Sequence, residues 1–198
     1  LLPPEETRAD LAGLADDMLV ASGYRRVGFD HYAKPDNLLA RADLEGRLRR
    51  NFQGFTDDVA DTMLGFGASA IGYVGGLYAQ NAKTLGDYYR RTDSQELATM
   101  RGLILSPREM AIGRTIRELL CRSQADIAAL LASLAPTEAN AVCARLDALE
   151  ADGLISWEGD LVALAPEARP LSRVVAMALD PYEKAMAGNS LRSLARAV

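Results

Sequence analysis

Apolar residues near the start of the chain recur every three or four positions, the spacing that places side chains on one face of an α-helix. This face comprises Leu11, Leu14, Ala15, Met18 and Leu19. Pro3-Pro4 precedes the pattern and Gly23 ends it, as is typical of helix termini. Residues 24–32 instead alternate between apolar and polar side chains, which predicts a short strand ending at Asp30-His31.

The pattern of apolar and polar residues from 33 to 105 predicts further helices and strands in alternation. Asp36 or Asn37 is suited to cap one helix, and Thr84 to cap another. A loop is expected from residue 51 to residue 58, and a short buried strand from residue 62 to residue 66. This rhythm is typical of β/α units around a parallel sheet, but about two or three units are too few to close a barrel. The sequence therefore predicts an α/β fold that is part of something larger.

The composition changes after Pro107, where glycine becomes sparse and alanine, leucine, arginine and glutamate dominate. Helices are predicted at residues 107–121, 126–134 and 137–152. A hairpin follows at residues 153–164 with Gly159-Asp160 at its turn, and then a closing helix at residues 166–179. Three helices followed by a hairpin are typical of a winged helix.

The charge balance argues against nucleic acid as a partner. The net charge is −5 and the isoelectric point is near 5.0, whereas phosphate binding needs a concentrated basic face. Arg47, Arg49 and Arg50 form a local exception, but the helix predicted at residues 137–152 is acidic. No apolar run approaches the ~18 residues of a membrane span, and the first residues do not resemble a signal peptide. We therefore expect a cytoplasmic protein without a membrane partner.

Few residues in the chain are suited to metal binding. Cys121 and Cys143 are far apart and form no metal-ligand spacing, so both are expected to be buried thiols in a reducing compartment. His31 is the single histidine. A site built from several imidazoles, or a serine triad that does not use His31, is excluded by count. We predict no metal ligand and no catalytic residue.

The stretch from residue 50 to residue 81 has an unusual composition, with six glycines, four amides and five aromatics. Its segment GFGASA matches a relaxed GxGxxA dinucleotide motif, but the residues that follow form a poor helix, so close packing of small residues is favoured. Asp30-His31 is either an acid–base pair or an ordinary hydrogen-bonded pair. Asn51 and Gln53 either bind a nucleoside or satisfy their own backbone.

Several collinear segments carry a family resemblance: GFDHYAKPDNLLARA, GRLRRNFQGFT, LGFGASAIGYVGGLYAQN and LGDYY, followed by RGLILSPRE, ADGLI and SRVVAMALDPY. Together they resemble the C-terminal half of bacterial oxygen-independent coproporphyrinogen III oxidase (dehydrogenase), a radical S-adenosylmethionine enzyme of heme biosynthesis. The resemblance implies a partial (β/α) radical-SAM barrel at residues 1–105 and a mainly helical, winged-helix-like domain at residues 106–198. A YEISN-type strand, typical of the related heme chaperones, is absent from the sequence.

The resemblance also implies a reaction and its cofactors. The family decarboxylates two propionates of coproporphyrinogen III to give protoporphyrinogen IX, using S-adenosylmethionine and a [4Fe-4S] cluster on a CxxxCxxC motif. It implies that Phe52, Gln53 and Ile71 bind S-adenosylmethionine. Asp30, His31 and Asn51 are then candidates for the surrounding substrate or cofactor pocket.

The departures from the family pattern are also informative. The chain has no CxxxCxxC and no GGTP-like loop, and GFTD replaces the usual GYTT. We therefore expect this chain alone to be inactive, with the N-terminal half of the same enzyme as its partner. Two alternatives remain: a degenerate member that binds heme or porphyrin without chemistry, and a stand-alone winged-helix binding module.

Overall fold

A computed structural model describes residues 3–182 of the 198-residue chain. The described chain packs as two compact units, one formed by residues 3–57 with 112–182 and the other by Asp58–Ala111. The predicted domain boundary between residues 105 and 106 differs from this division and stays a prediction. The ends of the two predicted domains, residues 1–2 and 183–198, lie outside the described residues.

The first unit begins with a helix and two small hairpins. Its elements are α1 (Glu5–Ala21), β1 (Arg25–Val27), β2 (His31–Ala33), α2 (Leu38–Leu44), β3 (Arg49–Asn51) and β4 (Gly54–Thr56). The helix predicted from the apolar spacing is confirmed, although Leu11, Leu14 and Met18 on it are exposed. Asn37 caps α2 as predicted, because its Oδ1 accepts a hydrogen bond from the Leu39 N–H at 2.9 Å.

The single strand predicted at residues 24–32 is wrong, because the chain reverses in its middle. Gly28 has φ of +58°, a conformation that glycine adopts without the steric cost of a Cβ atom. Strand β1 therefore pairs antiparallel with β2, and Val27 faces His31. As a consequence, Asp30 lies in the turn and His31 begins β2, whereas the pattern had placed both at the end of one strand.

The second unit contains a three-stranded antiparallel sheet and one helix. Its elements are β5 (Ile71–Val74), β6 (Leu77–Asn81), α3 (Leu85–Asp93) and β7 (Thr99–Ile104). The strand order is β5-β6-β7, with Tyr73 facing Tyr78 and Ala79 facing Gly102. Thr84 caps α3 as predicted, accepting a hydrogen bond from the Asp87 N–H at 3.2 Å.

The buried strand predicted at residues 62–66 is also wrong. Met63 forms only an isolated bridge to Tyr73, while Leu64 is 65% and Phe66 is 85% exposed. The glycines of this segment let backbones approach: a Cβ at Gly65 would lie 2.8 Å from the Ile71 carbonyl carbon. The GxGxxA segment is followed by a strand, so it does not open a helix as a dinucleotide motif requires.

The remaining residues of the first unit form a helical core with a small sheet. The elements are α4 (Pro107–Arg122, in this unit from Ile112), β8 (Gln124–Asp126), α5 (Ala128–Ala132), α6 (Pro136–Ala151), β9 (Ile155–Glu158), β10 (Leu161–Leu164), a 3-10 helix (Pro166–Leu171) and α7 (Ser172–Ala178). The predicted helices and hairpin are confirmed, except that the closing segment starts as a 3-10 helix. Fully buried apolar side chains hold these elements together: Leu119, Ile127, Leu130, Leu146, Val162, Val175 and Leu179.

The fold class is α/β, as predicted, and residues 3–182 contain no closed barrel. Each strand pair in the described residues is antiparallel. The parallel arrangement suggested by the alternation of helices and strands is therefore absent from this part of the chain. Several paired strands are joined by two-residue turns, such as Gly75-Gly76, and a turn this short connects only antiparallel neighbours.

Candidate functional site

Five of the six site residues predicted from the sequence lie in the first unit. The loop predicted at residues 51–58 is wrong, because β3 and β4 form a hairpin closed by the pair Asn51 and Gly54. Phe52 and Gln53 are the two residues of its turn, and both are exposed, Phe52 by 57%. The Oδ1 atom of Asn51 accepts a hydrogen bond from the Gln53 N–H at 2.8 Å. The Asn51 side chain therefore fixes the turn in which Phe52 and Gln53 are exposed.

An aromatic cluster supports this hairpin from one side. The Phe55 ring lies edge-on to the Phe29 ring, with centroids 5.5 Å apart, and to the His31 ring at 5.1 Å. The Arg50 guanidinium carbon lies 5.6 Å from the Phe55 centroid and 5.8 Å from the Phe29 centroid. Both distances are in the range of a cation–π contact. Gly28 leaves room for the Phe55 ring, because a Cβ there would lie 2.1 Å from Phe55 Cζ.

Asp30 and His31 form a hydrogen-bonded pair, with 2.6 Å between Asp30 Oδ1 and His31 Nδ1. Their side chains are about half exposed, at 52% and 47%. A carboxylate in this position fixes the orientation of the imidazole ring. The geometry suits an acid–base pair or a structural pair equally, so the alternatives left open by the sequence stay open.

Ile71, the sixth predicted residue, lies in the second unit and begins β5 opposite Gln80. It is partly buried. The preceding glycine-rich turn is held by Asn81, whose Nδ2 donates to the carbonyl oxygens of Gly65 at 3.0 Å and Gly67 at 3.1 Å. These contacts order the chain immediately before Ile71.

The described residues contain no cluster of histidine, cysteine, aspartate or glutamate that could hold a metal ion. Cys121 is buried, and burial raises the pKa of its thiol to about 11. The chain has two cysteines, separated by 21 residues, so they cannot supply the three thiolates of a CxxxCxxC cluster site. Within residues 3–182, no helix has the length and apolar content needed to cross a membrane.

Two contacts, one in each unit, are not predicted from the sequence. Arg50 stands out in the sequence only as one of three basic residues, whereas in the structure its guanidinium lies over both phenylalanine rings. The hydrogen bonds of Asn81 to the glycine-rich turn are the second contact. The signal for Arg50 was the alternation within β3, which places its side chain on the opposite face from that of Arg49.

Comparison with curated proteins finds relatives along almost the whole chain. Oxygen-independent coproporphyrinogen III oxidase from Cereibacter sphaeroides is 37% identical over 184 residues, 92% of this chain and 41% of the relative. The enzymes of that name from Bradyrhizobium diazoefficiens and Escherichia coli are 37% and 34% identical, over 41% and 40% of their lengths. A comparison with protein-family models gives no match.

The solved structure of coproporphyrinogen III oxidase from Escherichia coli, described as a radical SAM enzyme, superimposes with a TM-score of 0.82. The match covers 91% of this chain and 42% of that chain, at 34% identity. The chain is therefore an α/β protein homologous to part of a larger enzyme. Its relatives are the oxygen-independent coproporphyrinogen III oxidases, which confirms the resemblance seen in the sequence. The chain spans about 41% of the length of these relatives.

Proposed function

We propose that this chain is the C-terminal part of an oxygen-independent coproporphyrinogen III oxidase, an oxidoreductase that converts coproporphyrinogen III to protoporphyrinogen IX. The observation that carries the proposal is the agreement of fold and sequence over 91% of the chain, with a TM-score of 0.82 at 34% identity. A fold likeness alone would not support a shared reaction, but collinear sequence identity at this level supports one.

The finer domain assignment is part of the same proposal. Residues 1–105 would be the C-terminal portion of a partial (β/α) radical-SAM barrel, with the parallel strands supplied by another part of the enzyme, since the strand pairs among the described residues up to 105 are antiparallel. Residues 106–198 would form the winged-helix-like domain. Support comes from the order α4, α5, α6, β9, β10, with β8 as the third strand of the sheet β8-β10-β9.

The exposed turn of the β3–β4 hairpin would provide one wall of the S-adenosylmethionine pocket. Phe52 offers an aromatic face, and the Gln53 amide offers both a donor and an acceptor to a nucleoside. Asn51 keeps the turn in place through its 2.8 Å hydrogen bond, which limits the entropy lost when ligand binds. Ile71, in the second unit, is a separate candidate for an apolar contact to S-adenosylmethionine. Asp30 and His31 would line the surrounding pocket.

The chain's residues fit S-adenosylmethionine but not the [4Fe-4S] cluster. As the resemblance implies, S-adenosylmethionine held by Phe52, Gln53 and Ile71 would supply the radical chemistry that the decarboxylation of the propionates needs. The roles of this chain would be to hold the nucleoside, to orient the substrate and to exclude water. Cys121, a protonated buried thiol, and the distant Cys143 cannot replace a CxxxCxxC motif.

The isolated chain provides a direct test of this division of roles. With S-adenosylmethionine, ferrous iron, sulfide and a strong reductant, we expect no 5′-deoxyadenosine above a protein-free control. The measurement is chromatography of the nucleoside products under anoxic conditions. Catalytic turnover by the chain alone would contradict the assignment of the cluster to another part of the enzyme.

A further inference from the structure

Arg50 is a partly buried cation that has no counter-charge within residues 3–182. Its Nε atom is enclosed by the protein and has no hydrogen-bond partner among the described residues. Within residues 3–182, Arg50 forms no ion pair, whereas Arg26 pairs with Asp16, and Arg169 lies 3.5 Å from Asp43. Leaving a guanidinium N–H unpaired away from water is costly, so such a group is unusual in a folded protein.

The groups around Arg50 cannot supply the missing negative charge. The nearby Cys121 thiol is kept neutral by burial, and its pKa is raised to about 11. Asp43 is engaged by Arg169, and Asp30 by His31. The faces of Phe29 and Phe55 attract the cation but accept no strong hydrogen bond. The terminal nitrogens of Arg50, unlike its Nε atom, are not among the enclosed atoms and have no hydrogen-bond partner among residues 3–182, so they can receive an anion.

The surroundings also hold the guanidinium in one orientation. Arg50 and Phe55 face each other in the β3–β4 register, and the Phe55 ring is wedged against Gly28 and Phe29. Contact with two rings restricts the guanidinium, so less conformational entropy is lost when it forms paired hydrogen bonds. The next residue along β3, Asn51, already belongs to the proposed ligand wall.

We propose that the Arg50 guanidinium is a carboxylate-binding subsite next to the Phe52-Gln53 turn. The subsite rests on the proposed function, because both proposed ligands bring carboxylates: the propionates of the porphyrinogen and the methionyl carboxylate of S-adenosylmethionine. A planar guanidinium matches a carboxylate with two parallel N–H···O bonds. We assign a propionate of the porphyrinogen to this subsite. The test also distinguishes the alternative, in which the methionyl carboxylate of S-adenosylmethionine binds there.

The test measures ligand binding by the 198-residue chain, without requiring turnover. Fluorescence titration with coproporphyrin III, the stable oxidised form of the substrate, is compared with titration by its methyl ester, in which every carboxylate is esterified. Arg50→Met removes the charge but keeps an apolar side chain against the two rings. Arg49→Met is the matched control, because it removes the same charge from the neighbouring position on the opposite face of β3.

We expect Arg50→Met to weaken coproporphyrin III binding by about tenfold or more, the scale of lost charge-assisted hydrogen bonds. Binding of the methyl ester should be unchanged in Arg50→Met, and Arg49→Met should bind both ligands within about twofold of the unaltered chain. If only S-adenosylmethionine binding falls in Arg50→Met, the carboxylate comes from the cofactor and the subsite stands. The subsite would be overturned if Arg50→Met and the unaltered chain bound the ligands with equal affinity, or if the two variants lost affinity equally. It would also be overturned if the unaltered chain bound neither coproporphyrin III nor S-adenosylmethionine.

A measurement on the unaltered chain covers the case in which Arg50→Met does not fold. The NMR resonance of the Arg50 Nε–H group should move on addition of coproporphyrin III and stay in place with the methyl ester. The absence of that shift would count against the subsite. The chain could bind these carboxylates through Arg50 and still give an inactive enzyme in the exchange experiment below. That result would support the subsite and contradict the proposed function.

Discussion

At the scale of single residues, Asp16 joins α1 to the β1–β2 hairpin. Its Oδ1 atom accepts hydrogen bonds from Arg26 Nε and from the Tyr32 hydroxyl, both at 2.6 Å. The hydrogen bond from Arg26 is the main cause that lowers the pKa of Asp16 to about 2. Burial, with the hydrogen bond to Asp16, raises the pKa of Tyr32 to about 12. This group of three is the principal polar contact of a helix whose apolar face is exposed.

The sign of the pH dependence follows from these shifts. The carboxyl of Asp16 has a lower pKa in the folded chain than in the unfolded chain, so its contribution is complete above about pH 4 and is lost as the pH falls toward 2. We predict that Asp16→Asn lowers the free energy of unfolding by about 1 kcal/mol at pH 7, because the pair is partly solvated. Urea unfolding at pH 7 and at pH 2.5 measures this loss, which should shrink at the lower pH. A loss of equal size at both values would contradict the assigned role of Asp16.

At the scale of elements, the β1–β2 and β3–β4 hairpins pack together around the Phe55 ring, which lies against Gly28 as well as Phe29 and His31. We predict that Gly28→Ala destabilises the chain by about 2 kcal/mol or more, because alanine meets both an unfavourable φ of +58° and the Phe55 ring. Gly46→Ala is the matched control: its φ is +65°, and no atom lies within 4 Å of the added Cβ. Urea denaturation should show a smaller loss for Gly46→Ala. Equal losses of unfolding free energy in the two variants would contradict the role of the Gly28–Phe55 contact, because they would mean that the Phe55 ring moves aside at no energetic cost.

Elements that depend on local spacing could be predicted from the sequence, whereas pairings between distant segments could not. Helices α4 and α6 and the β9–β10 hairpin follow from local spacing and from the Gly159-Asp160 turn, so they were predicted nearly in full. The pairing of β6 with β7 was missed because it joins segments separated by α3, and no local pattern encodes such a contact. The alternating pattern of residues 24–32 concealed a turn, because one glycine at positive φ reverses the chain without changing the alternation.

At the scale of the whole molecule, the candidate site was predictable only through resemblance. Phe52 and Gln53 have no local signature of ligand binding, and their exposed position depends on a hairpin that the pattern did not predict. The Arg50 contacts depend on Phe29, which lies on a different hairpin and is distant in sequence. The six predicted site residues are divided between the two units, and the chain spans about 41% of its relatives.

The central claim is that this chain supplies the C-terminal part of a coproporphyrinogen III oxidase. It is tested most directly by exchanging the chain for the matched 42% of the Escherichia coli enzyme and loading the iron–sulfur cluster anoxically. We predict conversion of coproporphyrinogen III to protoporphyrinogen IX, and a loss of at least about tenfold in the same hybrid carrying Gln53→Ala, since the proposed hydrogen bond between the Gln53 amide and the ligand would be removed. A folded, cluster-loaded hybrid that binds S-adenosylmethionine but forms no protoporphyrinogen IX would contradict the claim.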